Sequence, residues 1–226
     1  MVHKKLNRPV KISQSSKVRL KCVCATCNNG WMSALEQKCI PLIGALLEDI
    51  GLWLDEEYQN LLAKWAVKTA MINDTVQSHA RFFTRTECEN LKNKQEIPFG
   101  TQVCAGRFIG RGLDANGSDF TLVNPEKELI ATGHVFHVMV GHLILEVVSM
   151  HPVKEFEAAS IQFASKQGLW NESLIQIRPV VQASIKWPPQ LSYSTTQGRL
   201  HYGYLRGRWK NPIGHTVTTK NPPPSK

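Results

Sequence analysis

The spacing of apolar residues changes once along this chain, near residue 100, and that change restricts the fold more than any other feature. In "EEYQNLLAKWAVKTAMINDTVQ", residues 56–77, Leu61, Leu62, Trp65, Ala66, Thr69 and Ile72 recur at helical intervals, which predicts a core helix. Asp55 stands where it would cap that helix. "RTECENLKNK" predicts a shorter helix ending before Pro98. "PLIGALLEDIGLWL" predicts a short apolar segment, with Pro41 in its first turn and Gly51 at its end. From residue 100 onward, "TQVCAGRFIG", "SDFTLVN", "GHVFHVMV" and "HLILEVVSM" are short, rich in β-branched and aromatic residues, and interrupted by Gly or Asn. They predict strands, with Gly141 joining the last two as a hairpin. "SLIQIRPV" predicts one more strand and "KWPPQ" a rigid extended segment. Helices first and strands afterwards define an α+β class.

The region before the helices carries its own signal. "KVRLKCVCA" alternates Val18, Leu20, Cys22 and Cys24 with Lys17, Arg19 and Lys21, a strand with one apolar and one cationic face. Asn28-Asn29-Gly30 predicts a turn, and Ser33-x-x-Glu36 has the spacing of a capping box. The order is strand, cysteine turn, helix. Cys24-x-x-Cys27 lets two thiolates converge on one ion at about 2.3 Å, as in half of a zinc knuckle. Two other readings stay open: a closed site drawing on Cys22 and Cys39, or cysteines that hold no metal. The chain then divides into a partial zinc-knuckle motif (1–38), a helical region (39–98), a β-rich region (99–190), and a basic aromatic strand with a mobile tail (191–226).

Charge points to a partner class. Lys and Arg total 27 against 18 Asp and Glu, a net charge of +9, which favours a polyanion. DNA is the expected partner. Lys17, Arg19 and Lys21 lie next to the cysteine turn. Arg206, Arg208 and Lys210 are interleaved with Tyr202, Tyr204 and Trp209, a mixture suited to backbone charge and base stacking. No run approaches the roughly 18 apolar residues of a membrane span. The basic start has no apolar core of a secretory signal. A cytoplasmic setting with reduced thiols follows as the expectation. "GRFIGRG" lacks the Gly-Lys-Ser/Thr ending of a phosphate loop. His134 and His137, three apart, belong on opposite faces of a strand, while His134 and His142 would meet across the predicted hairpin as satisfied groups.

The string "VCATCNNGWMSALE" resembles a bacterial and phage branch of the HNH endonucleases, whose members carry Cys-x-x-Cys-Asn-x-Gly-Trp-Met-Ser-x-Leu-Glu. "LAKWAVKTAM" and "IRPV…WPP" are similar to the accessory region that follows. The resemblance implies a ββα-metal strand–turn–helix and hydrolysis of DNA phosphodiesters with a divalent cation such as Mg2+. It implies a structural Zn2+ with Cys24 and Cys27 as one thiolate pair, and Asn28 as the catalytic residue helping to hold the cation. The family's first Cys-x-x-Cys and its Asp/Glu-His-x-x-Pro string have no match in residues 1–21. His3 lacks both the acidic neighbour and the proline. The expectation is therefore a truncated or degenerate nuclease, weakly active or inactive as given, or a DNA-binding module without catalysis.

Overall fold

The computed structural model describes residues 23–77, 81–123, 126–153, 174–193 and 216–219. The fold is α+β. Helix α1 (Ala25–Cys27) continues through a wider-wound segment, Asn28–Met32, into α2 (Ser33–Leu47). Strand β1 (Leu52–Asp55) leads into α3 (Glu56–Gln77), followed by α4 (Arg85–Lys94). The remaining elements are β2 (Thr101–Val123), β3 (Leu129–Pro152), β4 (Leu174–Arg178), β5 (Ser184–Trp187), β6 (Ser192–Tyr193) and β7 (Thr216–Thr219). β1 pairs with β5 in a small antiparallel sheet. β2 pairs with β3, β4, β6 and β7 in a larger one.

The helical half follows its sequence pattern with informative exceptions. The Tyr58 amide donates to Asp55 Oδ1 at 2.8 Å, the cap expected at the start of α3. Leu62, Ala63, Ala66, Val67, Ala70 and Met71 of α3 are buried. Each large apolar side chain so buried contributes about 1.5–3 kcal/mol. Pro41 does not start or stop a helix, because α2 runs through it and buries Leu35, Cys39, Leu42 and Leu46. Packing along that stripe outweighs the missing amide. The residues after α2 form strand β1, not an extension of an apolar helix.

Gly141 is a bulge, not a hairpin turn. The segments "GHVFHVMV" and "HLILEVVSM" belong to one strand, β3, and "TQVCAGRFIG" and "SDFTLV" to another, β2. These two strands form a long antiparallel ribbon. Gly141 has φ +57°, and a Cβ there would meet the Leu47 carbonyl oxygen at 2.9 Å. Opposite it, Arg107 pairs with Leu143 and Gly112 with Gly141, so residues 108–111 stand against His142 alone. The extra backbone reverses which face each residue occupies. Before Gly141 the even positions Phe136, Val138 and Val140 pack with α3; after it the odd positions Leu143, Leu145 and Val147 do. Val135 and Met139, then Ile144, Val148 and Met150, line a second apolar cluster. Both halves of β3 thus bury an apolar set against the same helix. Apolar residues on both sides of a glycine also fit a hairpin, which is why sequence pattern alone favoured one.

Glu36 does not complete a capping box. No side chain caps the start of α2; the capping box in the fold is Thr84 with Glu87, at α4. Glu36 instead accepts from Lys68 Nζ at 2.5 Å, where the Lys68 side chain is 4% exposed and Glu36 52%. This pair ties α2 to α3. A buried ammonium needs its partner, whereas a capping box works with Gln as well as Glu. We therefore expect Glu36→Gln to cost about 1–2 kcal/mol in urea unfolding, the range for losing one charge-assisted bond at a half-exposed carboxylate. A loss below about 0.5 kcal/mol would return Glu36 to a capping role.

Candidate functional site

The cysteine turn begins α1. Cys24 is the N-cap, in extended backbone, and its Sγ accepts the Cys27 amide at 3.3 Å. The Asn28 amide closes the turn on the Cys24 carbonyl oxygen at 3.0 Å. Gly30, at φ −96° and ψ −112°, breaks the helical path, so the expected Asn-Asn-Gly turn is a kink inside a helical run. Asn28 is exposed, and its Nδ2 donates to Asn29 Oδ1 at 3.1 Å. Trp31 packs on the main core and anchors the turn to the body of the protein.

The thiols differ in chemistry according to their surroundings. The bonds from Cys27 lower the Cys24 pKa, and the Lys92 ammonium of α4 adds to the effect. An amide aimed at sulfur favours the thiolate that a metal or an electrophile requires. Cys24 is exposed and Cys27 half-buried, and both are free thiols. Cys39 is buried, its Sγ donates to the Leu61 carbonyl oxygen at 3.8 Å, and burial pushes its pKa up to about 11. A closed site using Cys22, Cys24, Cys27 and Cys39 is therefore disfavoured: Cys39 is held protonated inside the core. Burial also raises Cys104 well above the ordinary thiol value, with the Glu146 carboxylate adding to it.

The expected nucleic-acid contacts Lys17, Arg19, Lys21, Arg206, Arg208 and Lys210 lie outside the described residues, as do His3 and Cys22. "GRFIGRG" lies within β2, and Arg107 in it is taken up by Asp49, with Nε to Oδ1 at 2.8 Å. His134 and His142 do not meet across a hairpin, since both belong to β3. His142 Nδ1 instead lies 3.0 Å from the Phe108 carbonyl oxygen. His134 and His137 are both buried, each beside its own carboxylate. His137 Nδ1 is 3.0 Å from Glu146 Oε2, and His134 Nδ1 is 2.7 Å from Asp119 Oδ1.

A second polar group gathers at the far end of α3. Asp74, buried, accepts the Phe82 amide at 3.0 Å and the Phe83 amide at 3.1 Å. It thereby fastens the segment before α4 to the end of the helix. One ligand atom each from Asp74, Asp119 and His134 lie within 4.8 Å of one another. The Phe82 ring lies near-parallel to His134, with centroids 5.6 Å apart, and stacks on His151 at 4.3 Å. The sequence gives little warning of this group: its members sit on a helix end and two paired strands, far apart in the chain. The one local signal is polar Asn73-Asp74 closing an apolar helical stripe.

No protein-family model, curated protein or solved structure matches this chain.

Opposite shifts at two exposed cysteines give a direct check of the turn. At Cys88, burial of the sulfur raises the pKa and the Glu87 carboxylate raises it further, although the residue as a whole is exposed. A lowered pKa keeps the thiolate populated to more acidic pH. Iodoacetamide at about pH 7 should therefore modify Cys24 at least about threefold faster than Cys88, with the advantage shrinking as pH rises past the ordinary thiol range near 8.5. Cys39 and Cys104 should react only after unfolding. Equal rates at Cys24 and Cys88, followed by peptide mass mapping, would contradict the thiolate-stabilising turn.

Proposed function

We propose that this chain is an HNH-like, metal-dependent DNA endonuclease with residues 22–36 as its zinc and cation end, weakly active or inactive as given. The observation that carries the reading is the turn itself. Cys24 offers a sulfur whose ionised form is favoured by the Cys27 amide. Cys27 follows at metal-binding spacing. Asn28 is exposed at the start of the helical run. In this reading Cys24 and Cys27 form one thiolate pair of a structural Zn2+, and Asn28 offers its carbonyl oxygen to a divalent cation such as Mg2+. When bound, that cation supplies charge stabilisation at a scissile phosphate. The work of this chain's residues is to fix the turn, through Trp31 in the core, and to present Asn28 to the phosphate. The net charge of +9 supports a DNA partner. Among the described residues no helix is long and apolar enough to cross a membrane.

Weak activity is expected because no Asp/Glu-His-x-x-Pro string occurs in residues 1–21 to supply the general base. The same observation favours the second reading, a DNA-binding module without catalysis. One set of assays on the full chain tests both. Zinc at about 100 times its Kd should add about 2.7 kcal/mol, roughly 5–10 °C in Tm, and Cys24→Ser should abolish that gain. Duplex binding that neutralises about three phosphates should weaken ~40-fold between about 50 and 200 mM salt. Plasmid nicking with Mg2+ or Mn2+ that disappears in Asn28→Ala would establish the nuclease; salt-sensitive binding without nicking would establish the module. A Tm indifferent to zinc, together with salt-insensitive binding, would remove both.

A further inference from the structure

We propose that Asp74, His134 and Asn73 form a second divalent-cation site at the end of α3, with Asp119 behind the imidazole, separate from the cysteine turn and suited to Mn2+ or Zn2+. The first support is the grouping: the Asp74 and Asp119 carboxylates and the His134 imidazole each bring one atom within 4.8 Å of the others. Oxygen and imidazole nitrogen together suit these first-row ions. An ion about 2.1 Å from each donor holds its ligands at most ~4.2 Å apart. Closing the site therefore needs movements of only about half an ångström.

The second support is independent of the carboxylates. His134 is 3% exposed and its Nε2 has no hydrogen-bond partner; the buried Oδ1 of Asn73 has none either. Both atoms lie close to Gly117 of β2. A Cβ built on Gly117 would lie 2.7 Å from Asn73 Oδ1 and 3.2 Å from His134 Nε2. In the neutral imidazole, the Asp119 carboxylate 2.7 Å from Nδ1 keeps the proton on that nitrogen and the lone pair on Nε2. Two acceptors thus lie beside Gly117, neither of them with a hydrogen-bond donor. An electron-pair acceptor bound beside Gly117 would satisfy both. The buried Asp74 carboxylate, which accepts the Phe82 and Phe83 amides, brings an oxygen into the same group. Gly117, lacking a side chain, leaves the room. In this arrangement Nε2, Asn73 Oδ1 and an Asp74 oxygen face the ion. Asp119 fixes the tautomer from behind the ring, as outer-shell carboxylates do for metal-bound histidines, and its exposed side gives the route in.

The ion would join three parts of the fold that now meet only through hydrogen bonds and packing: the end of α3, the segment leading into α4, and the β2–β3 ribbon. The test uses the full chain carrying Cys24→Ser and Cys27→Ser, so that the thiol pair is silent. Mn2+ is titrated and the loss of its free-ion electron paramagnetic resonance signal is followed, with Zn2+ competing for the same ion's place. We expect one Mn2+ per chain and displacement by Zn2+. Asp119→Asn keeps an oxygen near Nδ1 but loses the charge, and as a half-exposed change it leaves the fold intact by near-ultraviolet circular dichroism. It should weaken binding about 10- to 100-fold. Gly117→Ala, which fills the space between Asn73 and His134, should weaken it at least as much. No Mn2+ or Zn2+ binding to the Ser/Ser protein would overturn the proposal. So would binding that Asp119→Asn and Gly117→Ala both leave within about twofold of the parent.

Discussion

The packing of α3 across the β2–β3 ribbon is the contact on which the rest of the molecule depends. The helix brings a stripe of small and medium side chains, Ala63, Ala66, Val67 and Ala70, close to the sheet. Those residues allow near approach without leaving voids, the condition for a well-packed interior. The ribbon meets it from both arms of β3 only because Gly141 inserts a reversal of face at its middle. Without that reversal, either Phe136 and Val138 or Leu143 and Leu145 would turn away from the helix. The remaining elements attach to this pair: α2 through Lys68 and Glu36, β1 and β5 through Gln59, whose Nε2 donates to the Leu54 and Gln182 carbonyl oxygens, each at 2.9 Å.

The class of the fold was legible in the sequence, and the reasons are local. The stripe from Leu61 to Ile72 has helical spacing and little competition, and Asp55 announces its start. The strand-forming stretches after residue 100 were equally plain. What could not be read was continuity. Glycines at 110, 112 and 141 punctuate the strands much as turn residues do, and whether a glycine turns, bulges or is crossed depends on what it approaches in space. For Gly141 that neighbour is the Leu47 carbonyl oxygen, about which the surrounding letters say nothing. Pro41 and Glu36 make the same point: a proline was carried through by burial of Leu42 and Leu46, and a capping glutamate was drawn off by a lysine on another helix.

The two polar centres were legible to different degrees for the same reason. Cys24, Cys27 and Asn28 are contiguous, so spacing alone shows that they share a turn, and the fold then adds the amide–sulfur bond and the neighbouring Lys92. The group at the end of α3 is assembled from residues 73, 74, 119 and 134 by strand pairing. Asp119 stands opposite His134 in the ribbon register, and α3 ends against that pair. Only after the two long strands are aligned does the arrangement exist. The centres also differ in stiffness. The cysteine turn is half exposed, whereas His134 and Asp74 are set in the interior by stacking on Phe82 and by backbone amides. A site held in that way is positioned before any ligand arrives, which lowers the cost of binding.

The most direct measurement is anomalous diffraction from crystals of the full chain grown with Mn2+, collected on both sides of the manganese absorption edge. A manganese peak about 2.1–2.2 Å from His134 Nε2 and from oxygens of Asp74 and Asn73 is the predicted result. A structure with no peak there, in which the Asn73 amide is turned to donate its N–H to His134 Nε2, would contradict it.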